Sequence, residues 1–270
     1  MGITDTQAEA QLATLRNRIK SREDLELSEN KQWAERQLAA MPAIRLPSVQ
    51  AVIEPGEEYT PEPAYRSMYA VRDFMPSDLT RETLHKEMRL LTSIGTTGDG
   101  NCHDRSTMTS LTGREEGHMG LRLRNALYFV AHHNKLVLAG ATSDYKVFTE
   151  LSTPNEYVDA TASALTALTL QCPVAVIAPL GVQSGSDHCN IYIPPIIQPG
   201  ANVILKAWTG TPVRQPPTRE IPNSSGEALY HYCTVLARST KQIDTLVAGL
   251  NYHPCHAPEG VLTYRGYAGT

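Results

Sequence analysis

The sequence predicts an α+β domain: a small central β-sheet flanked by a helical lobe, preceded by an N-terminal helical extension. Three observations carry this. Apolar residues recur at three- to four-residue steps in several stretches of the first 170 positions, short β-branched runs cluster after Pro173, and a proline-rich interval follows the first helices. With 270 residues, 41% of them hydrophobic, the chain can bury one large core and carry an extension.

Residues 4 to about 41 hold few helix breakers. Leu12, Leu15 and Ile19 recur at helical spacing, and a second helical stretch surrounds Trp33 and Leu38. Such amphipathic helices read most simply as a packing appendage, with a partner-binding or targeting arm as the alternative. Pro42, Pro47, Pro55, Pro61 and Pro63 then resist regular structure and span like a linker. The expected division is residues 1–65 as extension and linker, and 66–270 as the main domain.

Ser77-Asp78-Leu79-Thr80-Arg81-Glu82 supplies N-cap candidates for a helix running to about Ser93, which Thr97-Gly98-Asp99-Gly100 breaks. A helix over 103–112 puts Cys102 at or just inside a helix start. Met119, Leu123, Leu127 and Val130 predict a helix over 115–134, with His132 and His133 at its solvated end; Val158, Ala162, Leu165 and Leu168 predict another over 155–171. Strands are expected over 173–177, 190–193, 202–208 and 229–237, with a loop at 211–222. The tail from Tyr252 carries no readable pattern.

Net charge is −4 and the basic residues are scattered, which speaks against a nucleic-acid or anionic-membrane partner. Five cysteines, at 102, 172, 189, 233 and 255, are odd in number and irregular in spacing, so a reducing compartment suits them better than a disulfide framework. No run reaches the roughly 18 apolar residues of a spanning helix. The expected location is a cytosol, either the producing cell's or that of a host into which the protein is delivered.

A cysteine attacks carbonyls as thiolate, so its ordinary pKa of about 8.5 must fall, and a helix N-terminus with a nearby imidazole lowers it. Cys102 fits that setting. Gly98 and Gly100 place flexible backbone beside the thiol, and amide N–H groups in such a turn can converge on an oxyanion, worth roughly 3 kcal/mol per donor.

The run Asp99-Gly100-Asn101-Cys102, with Arg105 and Ser106 behind it, resembles the signature of the ovarian tumour (OTU) family of cysteine proteases and deubiquitinases. The chain departs at His103 and Asp104, where the family usually has large apolar or aromatic residues, so packing behind the nucleophile must differ. The likeness extends over roughly 68–240: a helix like Leu121-Arg122-Leu123-Arg124, a helix leading into a hydrophobic strand, then strands ending in His and an aromatic residue. The added N-terminal helices and the divergence outside the signature suit a bacterial effector.

The resemblance implies that Cys102 is the nucleophile, that Gly100 and Asn101 belong to the oxyanion loop, and that Asp99 fixes this loop rather than serving as base. Of nine histidines, His231 in Tyr230-His231-Tyr232 matches the family's His-Tyr strand and is the first choice as base. His188, in Asp187-His188-Cys189-Asn190, is the rival, followed by His253 and His256. An acidic or amide residue two positions after the histidine would orient it, but Cys233 stands there. Asp73 and Asn251 are the remaining candidates, and a dyad without a third member is the other option. The implied reaction is hydrolysis of a ubiquitin isopeptide bond with no metal or organic cofactor; a papain-like protease of peptide or polyprotein substrates and an inactive ubiquitin-binding domain are the alternatives.

Overall fold

The computed structural model describes residues 3–44, 68–70, 92–94, 96–133, 136, 144–158, 161–177, 190–199, 201, 203–209, 231–236 and 250–255. At the N-terminus, α1 (Asp5–Arg18) and α2 (Arg22–Glu26) each begin with a reciprocal cap. Thr4 Oγ1 accepts from the Gln7 amide at 3.2 Å while the Gln7 side chain takes the Thr4 amide at 3.0 Å. Ser21 and Asp24 repeat the arrangement before α2, and α3 (Ser28–Ala40) follows directly.

Cys102 opens α4 (Cys102–Thr112), which ends at Gly113, whose φ of 76° completes a left-handed cap. The helix is rich in Ser and Thr, poor helix formers that compete for backbone partners. Its hydroxyls turn inward along the chain: Ser106 and Thr107 donate to the His103 carbonyl, Thr109 to Arg105, Ser110 to Ser106 and Thr112 to Met108. That internal satisfaction lets Ser106, Thr107 and Thr109 lie buried.

The helix α5 (His118–His132) is buried along almost its whole length, packing α1, α3, α6 (Asp144–Ser152) and α7 (Thr161–Leu170) around it. One core joins Leu12 and Leu15 of α1, Leu123 and Leu127 of α5, Val147 and Phe148 of α6, and Ala162 and Leu165 of α7. The N-terminal helices therefore share a core with the chain beyond the proline-rich interval. A second core lies between α7, α4 and the sheet, with Leu121, Ala167, Leu168, Val174, Val176, Tyr192 and Ile204.

Seven short strands form one sheet: β1 (Met68–Ala70), β2 (Thr92–Ile94), β3 (Val174–Ile177), β4 (Asn190–Ile193), β5 (Ile204–Thr209), β6 (His231–Leu236) and β7 (Asn251–Pro254), in the order β1-β2-β6-β5-β3-β4-β7. Pairings β3–β5 and β4–β7 are parallel and the rest antiparallel. The α+β class is as the sequence predicts. The helix α4 lies across β5 and β6.

The differences are local. Thr92–Ile94 pairs with β6 as a strand, so no helix extends to Ser93. Helix α5 starts at His118 rather than 115, because Asp5 of α1 accepts from the amides of Gly117 and Met119, both at 3.0 Å, and sets the helix start there. Helix α7 starts at Thr161, and Val158 is buried in the segment before it. His133 is buried rather than solvated, its Nε2 lying 3.2 Å from Glu26 Oε1. Helix α6 and strands β1, β2 and β7 were not foreseen. The expected loop at 211–222, and most of the expected linker and of the helix toward Ser93, lie outside the described residues.

Candidate functional site

The turn before α4 is fastened from both sides. Asp99 Oδ1 accepts from the Asn101 amide at 3.1 Å, and both carboxylate oxygens accept from the Arg105 guanidinium one turn into the helix. Arg105 also donates to Glu115 Oε2 at 3.0 Å, and Glu115 Oε1 accepts the Thr97 amide at 2.8 Å. Burial alone would raise the Asp99 carboxyl, but the Arg105 hydrogen bond and charge hold it below the ordinary carboxylate range. Asp99 is thereby an anchor of the turn and is occupied as an acceptor.

Asn101 is buried and bonded on every side. Its Nδ2 donates to Asn155 Oδ1 at 2.7 Å and to Asp99 Oδ2 at 3.2 Å; its Oδ1 accepts from the Asn155 amide at 3.0 Å and from Arg122 Nη1 at 3.1 Å. Asn155 itself has φ of 60°. Gly100 has φ of 82°, and a Cβ there would stand 2.0 Å from the Asn155 carbonyl oxygen. Glycine is required on both counts.

Arg122 runs beneath this turn without solvent contact. Nε donates to the Leu151 carbonyl at 3.1 Å, Nη2 to the Glu150 and Glu156 carbonyls, each at 2.6 Å, and Nη1 reaches Asp104 Oδ2 at 3.3 Å. One guanidinium thus ties α5, the end of α6 and the 99–104 turn together. From sequence, Arg122 reads only as part of a Leu-Arg helix. An arginine flanked by Leu121 and Leu123 on a helix this apolar was the available signal that its charge is used internally.

Behind α4 lies a buried polar group. His103 Nδ1 is 3.3 Å from Asp104 Oδ1, while Nε2 is 2.7 Å from Lys206 Nζ and 3.2 Å from Ser163 Oγ. Lys206 Nζ also donates to Thr107 Oγ1 at 3.2 Å. An ammonium only donates, so with Lys206 charged His103 carries its proton on Nδ1, directed at Asp104, and offers its Nε2 lone pair to Lys206. Burial and the Lys206 charge push His103 down to about 4, so the ring is neutral. Asp104, despite burial, is held below the ordinary range by His103 and Arg122. This is the altered packing that His103 and Asp104 announce.

Cys102 is buried, at 2% exposed, and belongs to the core between α4, α7 and the sheet. Cys172 and Cys255 are also buried, and burial pushes both thiols up to about 12, which makes them poor nucleophiles.

His231 opens β6, whose backbone is described. Thr234 Oγ1 donates to the Ser106 carbonyl at 2.7 Å, and the Leu205 carbonyl accepts from Ser110 at 3.4 Å. Because Thr234 pairs with Lys206 and His231 with Thr209, the β5–β6 ladder runs from the Ser110 level toward the Cys102 end of α4. His253 and Asn251 lie on β7, at the far edge of the sheet. Asp73, His188 and His256 lie outside the described residues. Glu26, His133 and Asp144 bring ligand atoms within 4.8 Å of one another at the other end of α5, a group of the kind that could hold a cation.

No family model and no curated protein matches the sequence. Among solved structures the chain is similar to the OTU domain of OTUD1, at TM-score 0.40 and 14% identity over 55% of this chain and 87% of that one. It is also similar to the viral OTU domain protease of Dera Ghazi Khan virus, at TM-score 0.38 and 12% identity over 64% and 88%. Both are loose likenesses, and what the site can do rests on its residues.

Proposed function

We propose that the chain is a cysteine-type deubiquitinase in which Cys102 is the nucleophile and His231 its base. The observation that carries this reading is the turn 99–102: four residues whose backbone and side chains are fixed by Arg105, Arg122 and Asn155 so that one cysteine sits on the first residue of a helix. A structural cysteine needs none of that apparatus. The helix start favours the thiolate, and the rigid turn can present amides to an oxyanion without reorganising.

In the proposed reaction His231 takes the thiol proton, and the thiolate adds to the carbonyl of the C-terminal glycine of ubiquitin. The tetrahedral intermediate expels the lysine amine, protonated by His231, and water hydrolyses the thioester. Gly100 and Asn101 belong to the oxyanion loop, Asp99 holds it, and Asp73 orients His231. Neither a metal nor an organic cofactor takes part in these steps. Delivery of the protein into a host cytosol as a bacterial effector is part of the same proposal.

The test is a ubiquitin probe with a cysteine-reactive group at its C-terminus, applied to the full chain and to Cys102→Ala. An adduct formed by the first and not the second supports the reading. Binding without an adduct favours a ubiquitin-binding domain, cleavage of peptides without ubiquitin reactivity favours a papain-like protease, and an adduct through another cysteine overturns the assignment. His231→Ala should abolish turnover while His188→Ala leaves it; the reverse replaces the base.

A further inference from the structure

The buried polar group behind α4 has an unusual charge balance. Two buried basic side chains, Arg122 and Lys206, share the Asp104 carboxylate; Arg122 also feels the charges of Asp99 and Glu156, whereas the charges that act on Lys206 are those of Asp104 and Cys102. Asp99 and Glu115 are engaged by Arg105. A buried cation is costly unless an anion compensates it. The next ionisable group on this side of α4 is the Cys102 thiol, adjacent in the chain to His103, which Lys206 touches at 2.7 Å, and to Asn101, which Arg122 touches at 3.1 Å. The two cations bracket the first turn of the helix on which the thiol stands.

We propose that Lys206 is a positioning residue for the reaction inferred above, on which this inference rests: its buried ammonium, together with Arg122, supplies the counter-charge that holds Cys102 as thiolate. No bond to Lys206 forms or breaks. The thiol S–H bond gives its electron pair to sulfur and its proton to His231 or solvent, and Lys206 keeps its own proton while the sulfur is negative. Burial pushes Lys206 down and the charges of Asp104 and Cys102 oppose it, which leaves the ammonium at about 7. An interaction of this kind is mutual, so whatever the thiolate does for the ammonium the ammonium does for the thiolate.

Among the described residues the elements around Lys206 are these, with β3 adding only the apolar Val176 in register. Helix α4 presents His103, Asp104 and Thr107, α5 presents Arg122, α7 presents Ser163 hydrogen-bonded to His103, and β6 pairs Thr234 with Lys206 in register. Cys233 stands two positions beyond His231 and offers no carboxylate to that histidine. Support from behind the helix adds to the thiolate character that the His231 base supplies.

The test reads ionisation rather than activity. Thiolate absorbance near 240 nm is titrated as the difference between the full chain and its Cys102→Ser variant, with and without Lys206→Met. The expected result is an upward shift of the Cys102 midpoint by about one pH unit on Lys206→Met, roughly a tenfold loss of thiolate near neutral pH. An unmoved midpoint overturns the proposal. Should Lys206→Met fold poorly, the same coupling is read on the intact lysine: NMR titration of the Lys206 ammonium should show its midpoint falling by a similar amount on Cys102→Ser, and an unchanged midpoint overturns the proposal. The ubiquitin probe runs in parallel. A probe adduct with an unmoved midpoint rejects the Lys206 role and leaves the enzyme reading standing; a moved midpoint without an adduct supports the coupling and rejects the enzyme reading.

Discussion

Gly100 shows how narrowly single residues constrain the site. Its φ of 82° and the 2.0 Å that would separate an added Cβ from the Asn155 carbonyl leave no place for a side chain, because the obstacle is backbone. Gly100→Ala must therefore displace either the turn or the segment around Asn155. The expected cost is on the order of 2–4 kcal/mol of stability and, for the proposed reaction, at least about 100-fold lower turnover from a misplaced Cys102. Turnover and thermal midpoint both close to wild type would sink this account. Asp99, Gly100, Asn101 and Arg105 were legible because they act on one another within one turn of sequence. Arg122, Asn155 and Lys206 were not. Their partners lie 21, 54 and 103 positions away, and no local pattern encodes a contact at that range.

Between elements, the joint that matters most is the one between α1 and α5. Asp5 sits in the first turn of α1, yet its two carboxylate oxygens take the Gly117 and Met119 amides at the start of α5, and Oδ2 lies 3.3 Å from His118 Nδ1. One side chain caps a helix more than a hundred residues away and pins the N-terminal helices to the lobe. Asp5→Ala should lower stability by about 1–2 kcal/mol, seen as a lower urea midpoint with an unchanged slope. An unaltered midpoint would show that the apolar α1–α5 contact suffices by itself. Helices of this lobe were readable because apolar residues repeat at their own period over three or more turns. The strands β1 and β2 are three residues long, too short for a period, and β7, Asn-Tyr-His-Pro, lacks the β-branched residues that marked the equally short β3 and β4; all three owe their existence to neighbours in the sheet. The start of α7 was misjudged for a related reason: Val158 is apolar because it is buried, and burial does not require a helix.

Across the whole molecule, the buried group behind α4 ties folding to pH, and every ionisable member pulls the same way. His103 is held at about 4 when folded, against about 6.5 when unfolded, so between those values the unfolded chain binds the extra proton and stability falls as pH falls. Lys206, held at about 7 against about 10.5, does the same between those two values. Asp104 has a lowered folded value, so its contribution is present above the unfolded carboxylate range and disappears below it. Stability should therefore climb from pH 4 to about 10, with His103 alone contributing on the order of 3 kcal/mol across its window. His103 and Lys206 are in contact, so their substitutions will not add. His103→Leu alone leaves the Lys206 ammonium against an apolar side chain and should destabilise strongly at neutral pH. Combined with Lys206→Met it removes both buried titrations, and apolar replacement of buried charged groups is often neutral or stabilising. The double variant should be at least as stable as wild type at pH 5 and should lose most of the rise between pH 5 and 9, measured as urea midpoints. Parallel midpoint-against-pH curves for the double variant and wild type would place the pH dependence elsewhere. A flattened curve accompanied by a weakened Cys102 thiolate would instead show that one buried lysine lowers stability while it prepares the nucleophile.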